Sequence, residues 1–252
     1  MRTVAVIPAR FASSRFPAKM LADLDGVPIV VRTLRQAARS SAVDEVVAAT
    51  DDERIAQVVE NAGFRACRTR DDHPSGTDRI AEAVAHLDAD LVVNVQGDEP
   101  FIDPELIDRL AARMREEDQP DIGTACTPIL HIDELHSPSV VKVVRNERGC
   151  ALYFSRSVIP FARDVDPAAL LDQQVYYRHL GIYAYRRAFL ARWETLPPHP
   201  LEETEKLEQL RALAHGARIA VIESAQTAPG IDTPEDLEAA HDFLKRNPEF
   251  YL

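Results

Sequence analysis

The stretch 90-DLVVNVQGDEP-100 decides the architecture. Residues 91–95, LVVNV, form a short apolar run that suits a strand covered on both faces, and such strands belong to parallel sheets flanked by helices. Ligands of open α/β sheets bind beyond the carboxyl ends of the strands, where Gln96, Gly97, Asp98 and Glu99 fall. Gly97 permits close backbone approach, and Asp98 supplies a hard oxygen suited to Mg²⁺. An Asp at this point can also merely cap a turn. The QGDEP combination beyond a core strand favours a site.

Working outward, strand and helix alternate. Toward the N-terminus the pattern predicts strands over 3–9, 44–50 and 64–68, with helices over 28–40, 51–63 and 77–87. A further helix is expected over 104–118, opened by Pro104. This alternation predicts a doubly wound, mostly parallel mixed sheet. After residue 120 strand-like segments crowd together at 121–129, 140–145, 150–156 and 179–186, which predicts a smaller antiparallel extension. The chain then returns to helices at 187–196 and 202–216, and ends with a strand at 218–224 and a helix at 233–247. No repeat, low-complexity tract or long linker divides it, so 1–252 reads as a single domain.

Composition narrows the function. The chain has 252 residues, a net charge of −12 and 28% charged residues. The sequence pI of about 5.1 argues against non-specific nucleic-acid binding. Cys67, Cys126 and Cys150 are isolated and odd in number, which suggests neither a disulfide framework nor a zinc site. No apolar run approaches the ~20 residues of a membrane helix, and the N-terminal run is too short for a signal peptide. A cytoplasmic protein without membrane partners is expected.

The nine glycines exclude two common nucleotide motifs. None precedes Gly26 and no two have G-x-G spacing, so the dinucleotide fingerprint and the P-loop are both absent. The turn after the first strand instead reads 8-PARFASSRFPAK-19, with Arg10, Arg15 and Lys19 beside Ser13 and Ser14 and no acid before Asp23. In so acidic a chain, three spaced cations suit a seat for a polyphosphate. A solvated basic loop fits the composition equally well.

Seven motifs then occur in order across nearly the whole chain: IPARFASSRFPAK (7–19), TRDDHPSGTDR (69–79), VNVQGDEP (93–100), ALYFSR (151–156), RHLGIYAYR (178–186), LEQLR (207–211) and GIDTPEDLE (230–238). Together they closely resemble the 3-deoxy-manno-octulosonate (Kdo) cytidylyltransferases, or CMP-Kdo synthetases. The resemblance implies a nucleotide-diphospho-sugar transferase fold and the reaction CTP + Kdo → CMP-Kdo + diphosphate. It implies Mg²⁺ dependence, a homodimer, and a place in lipopolysaccharide synthesis. Segment 1–120 would be mainly nucleotide-binding, and 121–220 mainly sugar-binding and dimer-forming. A cytidylyltransferase for a related acidic sugar, an amino-substituted Kdo or a sialic acid, is the alternative. One departure is visible: many relatives carry Gly where this chain has Ala18, which would strain a turn needing positive φ.

The same resemblance distributes roles. Arg10 and Lys19 are expected to hold phosphates and act in catalysis, with Ser13 and Arg15 in the same loop. At an effective dielectric near 20, a cation 4 Å from a phosphate charge gains about 4 kcal/mol, enough to decide where a triphosphate sits. Arg70, Ser75, Gly76 and Gln96 fall on the nucleotide side. In the same stretch Thr77 reads as a helix N-cap, His73 as structural, and Arg79 as either paired or facing the base. Gln96, Arg156, His179, Tyr183, Glu208 and Gln209 are expected to meet the sugar. Strand alternation puts His179, Gly181 and Tyr183 on one face, which a half-exposed strand would equally explain. Asp98 and Asp232 are expected to share Mg²⁺; Thr233 to Asp236 are accounted for by the helix start itself.

Overall fold

The computed structural model describes residues 1–12, 15–73, 75–224 and 230–251. From the N-terminus run β1 (Thr3–Pro8), the short hairpin β2 (Asp23–Leu24) and β3 (Val27–Pro28), and helix α1 (Ile29–Ala37). Then come β4 (Glu45–Thr50), α2 (Glu53–Asn61), β5 (Arg65–Arg68), α3 (Gly76–Ala85), β6 (Leu91–Asn94) and α4 (Pro104–Met114). The second half holds β7 (Ile122–Pro128), α5 (Ile132–His136), β8 (Lys142–Arg145), β9 (Ala151–Ser155) and the long β10 (Tyr177–Arg186). It closes with α6 (Arg187–Trp193), α7 (Pro200–Glu205), α8 (Gln209–Ala214), β11 (Ile219–Glu223) and α9 (Pro234–Arg246).

The main sheet has the order β11-β7-β10-β6-β1-β4-β5, with β8 pairing β10 and β9 pairing β8. Strands β6, β1, β4 and β5 are parallel, as are β7 and β11. Strand β10 enters between β6 and β7 antiparallel to both, and β8 and β9 extend it as the antiparallel part. This is the mixed, mostly parallel, doubly wound sheet that the alternation predicts.

Alternate residues of one strand feed opposite cores. Val4 and Val6 of β1 pack with Ile80, Val84 and Trp193 from α3 and α6, while Ala5 and Ile7 pack with Leu34, Val59 and Leu110 from α1, α2 and α4. Both faces are thus covered, which is why residues 91–95 are apolar on either face except at Asn94. A smaller apolar cluster joins Ile231, Ala240 and Leu244 around α9 to Phe101, Leu24 and Ile29.

Two local expectations are corrected. The helix expected over 202–216 is broken: Lys206 adopts left-handed φ 54°, separating α7 from α8. Strand β9 and the residue after it hold the break, since Ser155 Oγ donates to Glu205 Oε1 at 2.6 Å and Arg156 Nε donates to the Glu205 carbonyl at 2.7 Å. Helix α3 is capped by Ser75, not Thr77; the Ser75 side chain accepts from the Asp78 N–H and donates to Asp78 Oδ2. The cap lies two residues earlier, where Asp78 meets the Ser75 hydroxyl through both its N–H and its carboxylate.

Candidate active site

The turn after β6 carries Asp98. It closes through Glu99 N–H to the Gln96 carbonyl at 3.1 Å. A Cβ on Gly97 would stand 2.8 Å from the Pro8 carbonyl oxygen, so only glycine lets this turn lie against the end of β1. Burial pushes the Glu99 carboxyl up to about 7, and the neighbouring Asp98 charge adds to the rise.

Asp232 arrives from far along the chain. Helix α9 begins with a full capping box between Thr233 and Asp236, and Asp236 also accepts from the Asp232 N–H at 2.9 Å. Next to it, Ile231 N–H donates to the Asp98 carbonyl at 2.9 Å. Strand ends alone do not produce this meeting. Strand β11 is separated from β6 by β7 and β10, so Asp98 and Asp232 do not meet as the ends of neighbouring strands.

Lys19 completes the group. Its Nζ lies 2.6 Å from Asp98 Oδ2 and 3.1 Å from Asp232 Oδ1, and its side chain is only 9% exposed. Arg15 reaches the same Asp232 oxygen at 3.2 Å while remaining 67% exposed. Two of the three first-loop cations, Arg15 and Lys19, therefore do have acidic partners, brought from 79 and more residues away. Lys19 is not a solvent-facing loop residue but a buried one, in a helical turn whose preceding residue, Ala18, holds φ 57°.

These side chains line a cavity of about 370 Å³ together with Arg10, Ser75, Gly76, Arg79, Gln96 and Glu208. Arg10 is exposed, and among the described residues it forms no ion pair. Arg79 is buried against Thr69 and Asp51. His73 is bonded to Glu82 at the cavity wall. Ser13 lies outside the described residues. Arg70 is not brought to this group: its guanidinium, 65% exposed, pairs with Asp72 at 3.3 Å and borders a different groove, between α3 and α6.

A second cavity of about 240 Å³ shares Gly76, Gln96 and Glu208 with the first and adds Asn94, Tyr183, Tyr185, Lys206 and Gln209. Thr77, released from capping, donates to Glu208 Oε2 at 2.7 Å, while burial raises the Glu208 carboxyl above its usual range. Asn94 Oδ1 is buried without a hydrogen-bond partner, a polar atom aimed at no protein donor. Burial likewise raises the Tyr183 hydroxyl well above its ordinary pKa. His179 and Tyr183 share a face as alternation predicts, with ring centroids 5.4 Å apart. His179 borders a wider, 910 Å³ space that also reaches Gly181 and Asp232. Burial lowers its imidazole pKa to about 3.

Arg156 stands apart from these cavities. Its guanidinium is taken up by the carbonyls of Glu205, Pro138 and Lys206. Thr77 and Asn94 escaped the sequence reading as site residues. Only Asn94 left a signal there, as the one polar residue inside an apolar strand.

The donor set fits a hard divalent cation. Asp98 and Asp232 already converge on one positive group, and Mg²⁺ needs only one or two protein carboxylates, taking its other oxygens from water and phosphate. Among the described residues no group of three or more His, Cys, Asp or Glu side chains is arranged to hold a metal ion. The pair is therefore what this protein offers.

Comparison with known proteins follows this geometry. The family model for cytidylyltransferases matches residues 4–219. The 3-deoxy-manno-octulosonate cytidylyltransferase of Geobacter sulfurreducens is 48% identical over 250 residues, spanning 97% of this chain and 100% of that protein. Its counterpart from Syntrophotalea carbinolica is 49% identical, spanning 97% and 99%. A solved structure of CMP:2-keto-3-deoxy-manno-octonic acid synthetase complexed with CTP matches with a TM-score of 0.91 and 42% identity over 98% of this chain and 99% of that one. A 4-diphosphocytidyl-2C-methyl-D-erythritol synthase from Anaerococcus prevotii, 15% identical with a TM-score of 0.66, shares the fold. Identity at this level over nearly the full length makes the chain a member of the 3-deoxy-manno-octulosonate cytidylyltransferase family.

Proposed function

We infer that this protein transfers the CMP group of CTP to the anomeric hydroxyl of Kdo. The observation that carries the reading is Lys19 Nζ held between Asp98 and Asp232 on the wall of a cavity that shares Gly76, Gln96 and Glu208 with a second one. Two adjoining cavities suit two substrates. The first has the cations for a triphosphate; the second has the hydrogen-bonding groups for a polyhydroxy acid.

The hydroxyl oxygen of the sugar attacks the α-phosphorus in line, the bond to the β-phosphate bridging oxygen breaks, and diphosphate leaves. Arg10 and Lys19 stabilise the charge that moves onto the leaving group, with Arg15 beside them. Ser75 and Gly76 border the nucleotide, and Gln96 stands at the junction of the two cavities. Glu208, Gln209, Tyr183 and His179 orient sugar hydroxyls, and this positioning supplies much of the rate. Bound by Asp98 and Asp232, Mg²⁺ would supply charge neutralisation at the phosphates and a lowered pKa for the attacking hydroxyl. No side chain needs to act as a covalent nucleophile.

The assay is diphosphate release from CTP, Mg²⁺ and Kdo, with an amino-substituted Kdo and a sialic acid as competing acceptors. Release strongest with Kdo is expected. Absence of release with all three acceptors overturns the reading, and a stronger response to another acid selects the related activity. A homodimer and a cytoplasmic role in lipopolysaccharide synthesis belong to the same proposal. Leu130, Leu152, Phe161 and Val165 expose apolar surface between residues 130 and 165, which favours assembly through that segment. Light scattering that gives a monomer mass at working concentration would remove the dimer.

A further inference from the structure

Strand β10 carries an irregularity opposite Thr124. Leu180 pairs with Ala125 and Tyr183 pairs with Thr124, so Gly181 and Ile182 have no counterpart on β7. Such a bulge takes carbonyls out of the ladder. Side chains meet them here: Gln96 Nε2 donates to the Gly181 carbonyl at 3.3 Å. The Thr124 hydroxyl lies 2.8 Å from the Ile182 carbonyl and 3.2 Å from that of Leu180. The same oxygen is 2.9 Å from His179 Nε2.

Proton counting decides this junction. A threonine hydroxyl has one proton to give and lone pairs to receive with, while carbonyl oxygens only accept. Thr124 is fully buried, so an oxygen facing two carbonyls without a proton between them would oppose lone pairs where no water intervenes. The Thr124 proton therefore goes to a carbonyl, with Ile182 the nearer. What remains for His179 is a lone pair, and only a protonated Nε2 can use it.

We propose that Thr124 is a positioning residue that holds His179 as the Nε2–H tautomer, leaving Nδ1 as a hydrogen-bond acceptor for a hydroxyl of the acceptor sugar. Among the described residues the ring forms no other hydrogen bond, so Nδ1 has no protein donor. Burial lowers the imidazole pKa, which favours the neutral ring. The group that suits the free Nδ1 of this neutral tautomer is an O–H donor of a polyhydroxy acid. The placement of the sugar rests on the function proposed above; the tautomer rests on the bulge geometry alone.

The test has a spectroscopic and a kinetic arm. Ring nitrogens of the ¹⁵N-histidine-labelled protein are observed at neutral pH, with His179 assigned by the signals that vanish in His179→Gln. An unprotonated Nδ1 and a protonated Nε2 are expected; a protonated Nδ1 overturns the proposal. Thr124→Val should lose the single tautomer and raise the KM for Kdo about tenfold, the scale of one buried hydrogen bond, with the CTP KM within about twofold. Thr124→Ser should restore both. An unchanged Kdo KM in a folded Thr124→Val protein overturns the positioning role, as does an equal rise for CTP. Where Thr124→Val fails to fold, the wild-type spectrum and the Thr124→Ser kinetics decide. Should no sugar be converted at all, the functional reading falls while the spectrum still settles the tautomer.

Discussion

The Ile231 backbone N–H donates to the Asp98 carbonyl at 2.9 Å, and this bond sets Asp232 beside Asp98 although 134 positions separate the two carboxylates. Helix α9 supports it from behind. Phe243 on α9 packs on Phe101 with ring centroids 4.7 Å apart, and Phe101 belongs to the turn that carries Asp98. The carboxylate pair is thus held by main chain on one side and an aromatic cluster on the other, and Lys19 is the cation they share.

Asp98→Asn and Asp232→Asn are each expected to remove most cytidylyl transfer. In the double variant the loss should fall far short of the product of the single losses, because in the proposed mechanism both side chains hold one ion. Initial rates across a Mg²⁺ titration provide the check. Fully multiplicative losses would show that the two groups act independently.

Lys19→Ala should lower turnover about 10²-fold or more, as removal of a preorganised electrostatic group does. Its burial adds a second effect absent from an exposed loop residue. Asp98 loses its partner and Asp232 keeps only Arg15, costing about 1 kcal/mol, less than a fully buried pair because Asp232 stays half exposed. Arg10→Ala should show the turnover loss without the stability loss. Denaturant midpoints of the two variants measure the difference, and equal midpoints would refute the buried role of Lys19.

Ala18 holds φ 57° and ψ 24°, a left-handed conformation that costs an L-residue about 1–2 kcal/mol. Ala18→Gly relieves it, less the chain entropy that glycine adds to the unfolded state. A net gain of about 1 kcal/mol is expected, or roughly 2–4 °C in Tm for a chain of this size. A Tm at or below that of the parent would mean the turn carries no strain.

Arg70 and Arg156 should separate function from scaffolding. Arg70→Ala removes only an exposed ion pair and should change the CTP KM by no more than about twofold. Arg156→Ala removes the clamp on the Glu205 and Lys206 carbonyls, so the expected result is a lower Tm and a weaker sugar response arising together. A tenfold rise in CTP KM for Arg70→Ala would return that residue to the nucleotide site.

His179 gives the acid limb of stability a definite sign. Its pKa falls from 6.5 to about 3 on folding, so between those values the unfolded chain binds the extra proton. Its contribution is complete above pH 6.5 and is lost as pH falls toward 3. Wild type should therefore lose more stability than His179→Gln between pH 7.5 and 4.5. Urea midpoints at the two values test it, and parallel losses would show that the ring titrates normally.

Local chemistry was legible from residues alone. Apolar runs such as 91–95 and the Thr233–Asp236 cap declare themselves because strand burial and helix capping act over a few residues. The alternation of such elements specified the mostly parallel sheet, and the seven motifs specified the family. Asp98, Asp232 and Lys19 could be named from the chain as candidates that belong together. Only the tertiary structure decided how they meet: through α9 returning over Phe101, and with Lys19 buried between acids instead of standing in a bare basic loop. It alone broke the helix at Lys206, because Ser155 and Arg156 come from a distant strand to hold Glu205. It alone drew Arg70 and Arg156 away from the cavities and put Thr124 against His179 across a bulge. Propensity and capping are written in neighbouring residues, whereas ion pairs, bulges and shared cavity walls depend on where the folded sheet brings together segments a hundred residues apart.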